Sequence, residues 1–123
     1  MRPAFLALAI AGTAGAALAA EDETFKIDTA AELAALCASA PEHRNHAAAI
    51  HMCHGYLVGV HHMHTAMAGP MGGGVYCFPT EGAPSRNEVA DAFAAWLADH
   101  PGMAGREAIE AALTFAAETY PCE

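Results

Sequence analysis

Basic residues are scarce in this 123-residue chain: five Lys and Arg stand against fourteen Asp and Glu, a formal net charge of −9 with histidine neutral. So few cations offer little to a phosphate backbone, which argues against nucleic acid and favours a basic protein surface as partner. Beyond the first twenty residues no apolar run is long enough to cross a bilayer. No segment has the composition of a strand, and no internal repeat appears at solenoid periods. Catalytic signatures are missing as well. G-x-S-x-G, H-E-x-x-H and C-x-x-C do not occur, and the run Gly72-Gly73-Gly74 lacks the Lys and Ser or Thr of a phosphate-binding loop. Asp99-His100-Pro101 reads as a helix stop. These absences lead us to expect no enzymatic activity and no required cofactor.

What the chain does have begins with an export signal. Arg2 precedes an apolar run from Ala4 to Ile10, and small residues lead to Ala17-Leu18-Ala19, the pattern of a cleavable signal peptide over residues 1–19. Residues 20–123 then form one small domain, periplasmic and free of the membrane after cleavage. Losing Arg2 takes the formal charge from −9 to −10. Four cysteines follow, at Cys37, Cys53, Cys77 and Cys122. An even number in a short exported domain predicts a disulfide framework, because a small core benefits from covalent staples in an oxidising compartment. Of three possible pairings, Cys53 with Cys77 is favoured: Cys53 faces the core side of its helix, and the glycine-rich loop before Cys77 can fold back over it. Cys37 then meets Cys122.

The remaining pattern is helical. Thr29-Ala30-Ala31-Glu32 is a capping box opening a helix that stops before Pro41. A long second helix runs from about His46 to Ala68, ended by Gly69-Pro70 and the glycines after it. Ser85-Arg86-Asn87-Glu88 is a second capping box. Val89, Ala92, Phe93, Trp96 and Leu97 follow at helical spacing, with Trp96 as the expected core anchor. Ile109, Ala112, Leu113 and Ala116 mark a last helix from Arg106 to about Tyr120, before Pro121-Cys122. The expected fold class is all-α: a small four-helix disulfide-stapled domain.

The second helix carries an unusual histidine content. At about 100° per residue, Met52, Cys53, Tyr56, Leu57, Val60, Met63 and Met67 fall on one arc, expected to be core. His51, His54, His61 and His62 gather on the other, beside Gly55 and Gly59, and His64 sits at the boundary, where partial burial and a hydrogen-bond partner are expected. His51 with His54, and His61 with His64, are i,i+3 pairs able to share Zn, Cu or Ni through neutral imidazoles. At 1.5 Å per residue the pairs lie about 15 Å apart, so one ion cannot use both. A solvated polar face is the plainer reading. Protonating all eight histidines would take the charge of the mature chain from −10 to −2, which suits an acid-responsive binding protein.

Five segments in order resemble the Tai-type immunity proteins, which protect bacteria against type VI secretion amidases. They are Ala34-Ala35-Leu36-Cys37, Cys53-His54-Gly55-Tyr56-Leu57-Val58-Gly59-Val60, Cys77-Phe78-Pro79, Trp96-Leu97-Ala98-Asp99-His100-Pro101 and Tyr120-Pro121-Cys122. The resemblance implies a periplasmic helical homodimer that binds a peptidoglycan amidase effector and blocks its active-site groove. Gly55, Tyr56, Gly59, Trp96 and Pro121 then read as scaffold, the two glycines letting another helix come close. The loop from Gly69 to Pro84, with Met71, Tyr76 and Glu81, is the candidate partner contact.

Overall fold

The computed structural model describes residues 25–123. The signal peptide expected over residues 1–19 lies outside them. The domain is all-α. Four α-helices occur among the described residues: α1 (Ala30–Cys37), α2 (His46–Ala68), α3 (Arg86–Asp99) and α4 (Ala108–Thr119), with a 3₁₀ turn at Pro101–Met103. No helix among them is long and apolar enough to cross a membrane.

Both capping boxes form. Glu32 N–H donates to Thr29 Oγ1 at 3.3 Å, and Glu32 Oε2 accepts from the N–H groups of Thr29 and Asp28, each at 2.8 Å. At α3, Glu88 N–H donates to Ser85 Oγ at 3.2 Å and Ser85 N–H to Glu88 Oε2 at 2.6 Å. These bonds occupy N–H groups that a helix start leaves without partners. They also favour the ionised carboxylates, holding Glu32 and Glu88 below the ordinary carboxyl range. The starts of α1 and α4 are tied together. Ala30 N–H reaches Arg106 C=O at 2.9 Å, Ala108 N–H reaches Asp28 C=O at 3.0 Å, and Thr29 and Glu107 form an isolated antiparallel bridge.

The core collects Leu33 and Leu36 of α1, Phe93 and Leu97 of α3, and Phe115 of α4, with small alanines between them. Fully burying each of the largest, Leu33, Leu36, Phe93 and Phe115, contributes about 1.5–3 kcal/mol. Phe93 meets Phe115 edge-on at 5.5 Å. The anchor role expected of Trp96 therefore belongs to Phe93. Trp96 is only partly buried: its Nε1 donates to Glu118 Oε2 at 2.7 Å, and its ring stacks on His100 at 4.4 Å. An indole with a polar handle is better placed at the core margin, where its N–H keeps a partner.

All four cysteines are bonded, but not as expected. The bridges are Cys37–Cys53 and Cys77–Cys122, not Cys53–Cys77 and Cys37–Cys122. Cys37 closes α1, and α2 begins after a link of residues 38–45, so the third turn of α2 comes back beside the end of α1. That local return leaves Cys37 and Cys53 with their Cα atoms 5.2 Å apart. Residues 74–78 lie instead on the C-terminal half of α2, and Cys77 N–H donates to Tyr120 C=O at 2.8 Å, which brings Cys122 to Cys77.

The expected apolar arc of α2 is also revised. Only Ala49 and Cys53 are buried on that helix, whereas Met52, Met63 and Met67 are exposed by 37, 64 and 46%. For Met63 and Met67 the reason is length. Twenty-three residues make a rod of about 35 Å, while α3 and α4, with 14 and 12 residues, reach about 21 and 18 Å. The C-terminal half of α2 outruns the bundle, so its methionines have little to bury against.

Candidate partner-binding surface

The overhanging half of α2 is clasped by a strap formed by residues 74–78. Helical hydrogen bonding runs past Ala68, since Met71 N–H donates to Met67 C=O at 3.0 Å, and the chain then turns at Gly72 and Gly73 with φ of 79° and 148°. Side chains disfavour that region of backbone space, so glycine makes the reversal possible there. The returning strap buries Tyr76 to 4% exposure.

Two imidazoles hold the strap. The His64 ring stacks on Tyr76 at 3.9 Å and 19°, and its Nε2 accepts from Val75 N–H at 2.9 Å. That bond requires a lone pair on Nε2, so the neutral ring carries its proton on Nδ1. One turn earlier, His61 Nδ1 lies 3.0 Å from the Tyr76 hydroxyl, and its ring packs 4.8 Å from Phe78. Burial lowers the proton affinity of His61 below the ordinary imidazole value, with His62 and His64 adding to the effect. Burial likewise pushes the Tyr76 hydroxyl up. Phe78 continues the chain of rings edge-on to Tyr120 at 4.7 Å, beside the Cys77–Cys122 bridge.

On one side of the strap lies an apolar groove of about 250 Å³, lined by Met63, Met67, Met71, Val75, Ile109 and Leu113 among others. Five of these, all but Leu113, are exposed large hydrophobics, Met71 by 65% and Val75 by 53%. These side chains form a contiguous exposed apolar surface, and unbranched methionine adapts to what it meets. The other side holds a second groove, edged by His54, His61, His62 and Arg86.

The structure thus gathers Met71, Tyr76, His61 and His64 around one feature. Met71 forms its exposed apolar edge, Tyr76 is buried beneath it, and Glu81 stands exposed further along the same loop. His51 is exposed on the preceding turns of α2, away from the strap. Among the described residues no three His, Cys, Asp or Glu side chains are placed to hold one metal ion. Gly55 and Gly59 do not receive a neighbouring helix: a Cβ added at either would meet nothing within 4 Å. Tyr56 is partly buried, its hydroxyl pKa raised by burial and by Glu107, and Pro121 is exposed beside the bridged Cys122. The methionine groove escaped the helical wheel, because the wheel shows which residues share a face but not where a helix outruns its neighbours.

Fold and surface together define a disulfide-framed helical domain with an adaptable apolar face. The chain belongs to the Rap1a immunity proteins, whose family model matches residues 29–122. Membership supplies the coarse function of a type VI immunity family, which is to bind a cognate toxin effector. Comparison with curated proteins and with solved structures returned no match.

Proposed function

We propose that this chain is a periplasmic immunity protein of the Tai type, which binds a peptidoglycan amidase delivered by type VI secretion and covers its active-site groove without itself doing chemistry. The observation that carries the reading is the family match, which spans all four helices and both disulfides. The periplasm suits a domain with every described cysteine oxidised. The contact surface is the strap and its methionine groove, where exposed apolar side chains would be desolvated by the partner and dominate affinity. Glu81 and the acidic balance of the chain add steering toward a basic toxin surface. The free protein acts as a homodimer in this reading.

The test is co-expression. An amidase effector from the same genome, directed to the periplasm, lyses cells that lack this protein and spares cells that make it, and the two proteins co-elute. Met63→Asp with Met71→Asp weakens the complex more than tenfold while leaving the circular dichroism of the free domain unchanged. Protection that persists in the double variant would remove the groove from the contact. Lysis despite normal expression of the wild-type protein would reject the amidase as partner. Sedimentation velocity of the free chain reads the oligomeric state.

A further inference from the structure

The second groove has a chemistry unlike the rest of this acidic molecule. It encloses about 280 Å³, near the lower end of the roughly 300–1,000 Å³ typical of small-ligand sites. Its floor includes Leu57 and Phe78, its polar edge consists of His54, His61, His62 and Arg86, and no carboxylate lines it. In a chain with fourteen acidic residues and five basic ones, a cavity bordered by a guanidinium and three imidazoles and by no carboxylate stands apart.

Two of these groups are left wanting. His54 Nε2 is buried and has no hydrogen-bond partner, the sole such side-chain atom among the described residues. A buried polar atom in that state is destabilising until it finds a partner. The same imidazole borders the groove, so its ring sets an unpartnered polar atom beside the cavity. Arg86 is the first residue of α3, the helix end where a cation is disfavoured. It makes no ion pair among the described residues, unlike Arg106, which is bonded to Glu110. An anion in the groove would be met by Arg86 and by the imidazoles together.

We infer that this groove is a binding site for a carboxylate carried on an apolar body, the carboxylate lying between Arg86 and the imidazoles and the apolar part resting on Leu57 and Phe78. Nothing in the immunity reading requires this site. The groups that face the imidazoles are few: His64 beside His61 on α2, the Tyr76 hydroxyl from the strap, and Arg86 from α3. The nearby Glu88 carboxylate is turned back onto Ser85 N–H.

The experiment is a ¹H–¹⁵N NMR titration of the oxidised domain with four probes. These are benzoate for a free apolar acid, an acetylated and amidated phenylalanyl-aspartate dipeptide for a protein side chain, benzamide as neutral isostere, and inorganic phosphate. Saturable shifts of Leu57, Phe78 and Arg86 are expected from a carboxylate probe, at least tenfold tighter than from benzamide. Tighter binding by benzoate assigns the site to free acids, and by the dipeptide to a partner's acidic side chain. Either supports the inference. Arg86→Gln and His62→Gln, both at exposed positions, should each weaken the carboxylate severalfold with the spectrum otherwise unchanged. Equal binding of benzoate and benzamide, equal binding of phosphate, or shifts insensitive to Arg86→Gln would overturn it. Because no toxin is present, failure here leaves the amidase reading untouched, and failure of that reading leaves this one.

Discussion

Replacing Gly74 by alanine tests how the strap is held. A Cβ built on Gly74 would stand 2.7 Å from His64 Cε1, 2.8 Å from His64 Nε2 and 3.2 Å from Tyr76 C=O. The imidazole must give way, because its neighbours are the backbone of the strap itself. Two losses follow: the Val75 N–H bond to Nε2, about 1 kcal/mol net, and the strain of an added methyl in a filled space, about 1–3 kcal/mol. Against them stands the lower entropy of an unfolded chain with one glycine fewer, about 0.4–1 kcal/mol. The balance is a destabilisation of about 1–3 kcal/mol, and each kcal/mol lowers the Tm of a domain this size by about 4–8 °C. The assay is thermal unfolding of four oxidised proteins: wild type, Gly74→Ala, His64→Ala and the double variant. Once His64 is gone the methyl has room, so the double variant should be more stable than the two single losses sum to, with a coupling of about 0.5–3 kcal/mol. A Gly74→Ala protein as stable as wild type, or strictly additive losses, would refute the contact between His64 and the strap.

Three further outcomes follow from the same geometry. Cys77 and Cys122 are exposed, whereas Cys37 and Cys53 are buried, so graded reduction with thiol tagging should open Cys77–Cys122 first; removing the bridges, which span 45 and 16 residues, should cost about 4 and 3 kcal/mol in the chain-entropy model. His61 resists protonation in the folded state, so the unfolded chain takes up the proton first as pH falls below about 6.5. Urea midpoints should accordingly be level from pH 8 to 7 and then decline through the folded-state pKa, and His61→Gln should flatten that decline. Gly55 and Gly59 sit inside α2 with open space around them, so alanine at each should raise stability by about 0.5–1 kcal/mol in the protein without its toxin, read by denaturant unfolding.

The helices were legible because their signals are local. Thr29 with Glu32, and Ser85 with Glu88, announce helix starts through atoms three residues apart, and Gly69-Pro70 marks where α2 stops. The disulfide-framed character was legible for the same reason, since it depends on the count and context of cysteine. Pairing was not, because it depends on where the 38–45 link returns α2, and nothing local encodes that. The exposure of the Met63, Met67 and Met71 stripe depends on the relative reach of helices whose lengths were legible but whose offsets were not. The chemistry of His64 was legible only in part. Its place at the edge of the apolar arc pointed to a partner, but the partner is a backbone N–H eleven residues on, set by a reversal at Gly72 and Gly73.

That reversal connects the framework to the surface. The strap carries Val75 on the side of the methionine groove and Phe78 on the side of the histidine groove, and Tyr76 between them is packed by His64 and bonded by His61. Three independent restraints hold it: the stacked and bonded imidazoles, the Cys77 N–H bond to Tyr120 C=O, and the Cys77–Cys122 bridge. A surface held this way loses little conformational freedom when a partner docks, and a preorganised contact retains more of its interaction energy as affinity. Reducing Cys77–Cys122 alone should therefore weaken toxin binding through faster dissociation, even though neither cysteine lines the methionine groove. Unchanged dissociation kinetics after selective reduction would mean that the imidazoles and the Tyr120 hydrogen bond suffice to keep the strap in place.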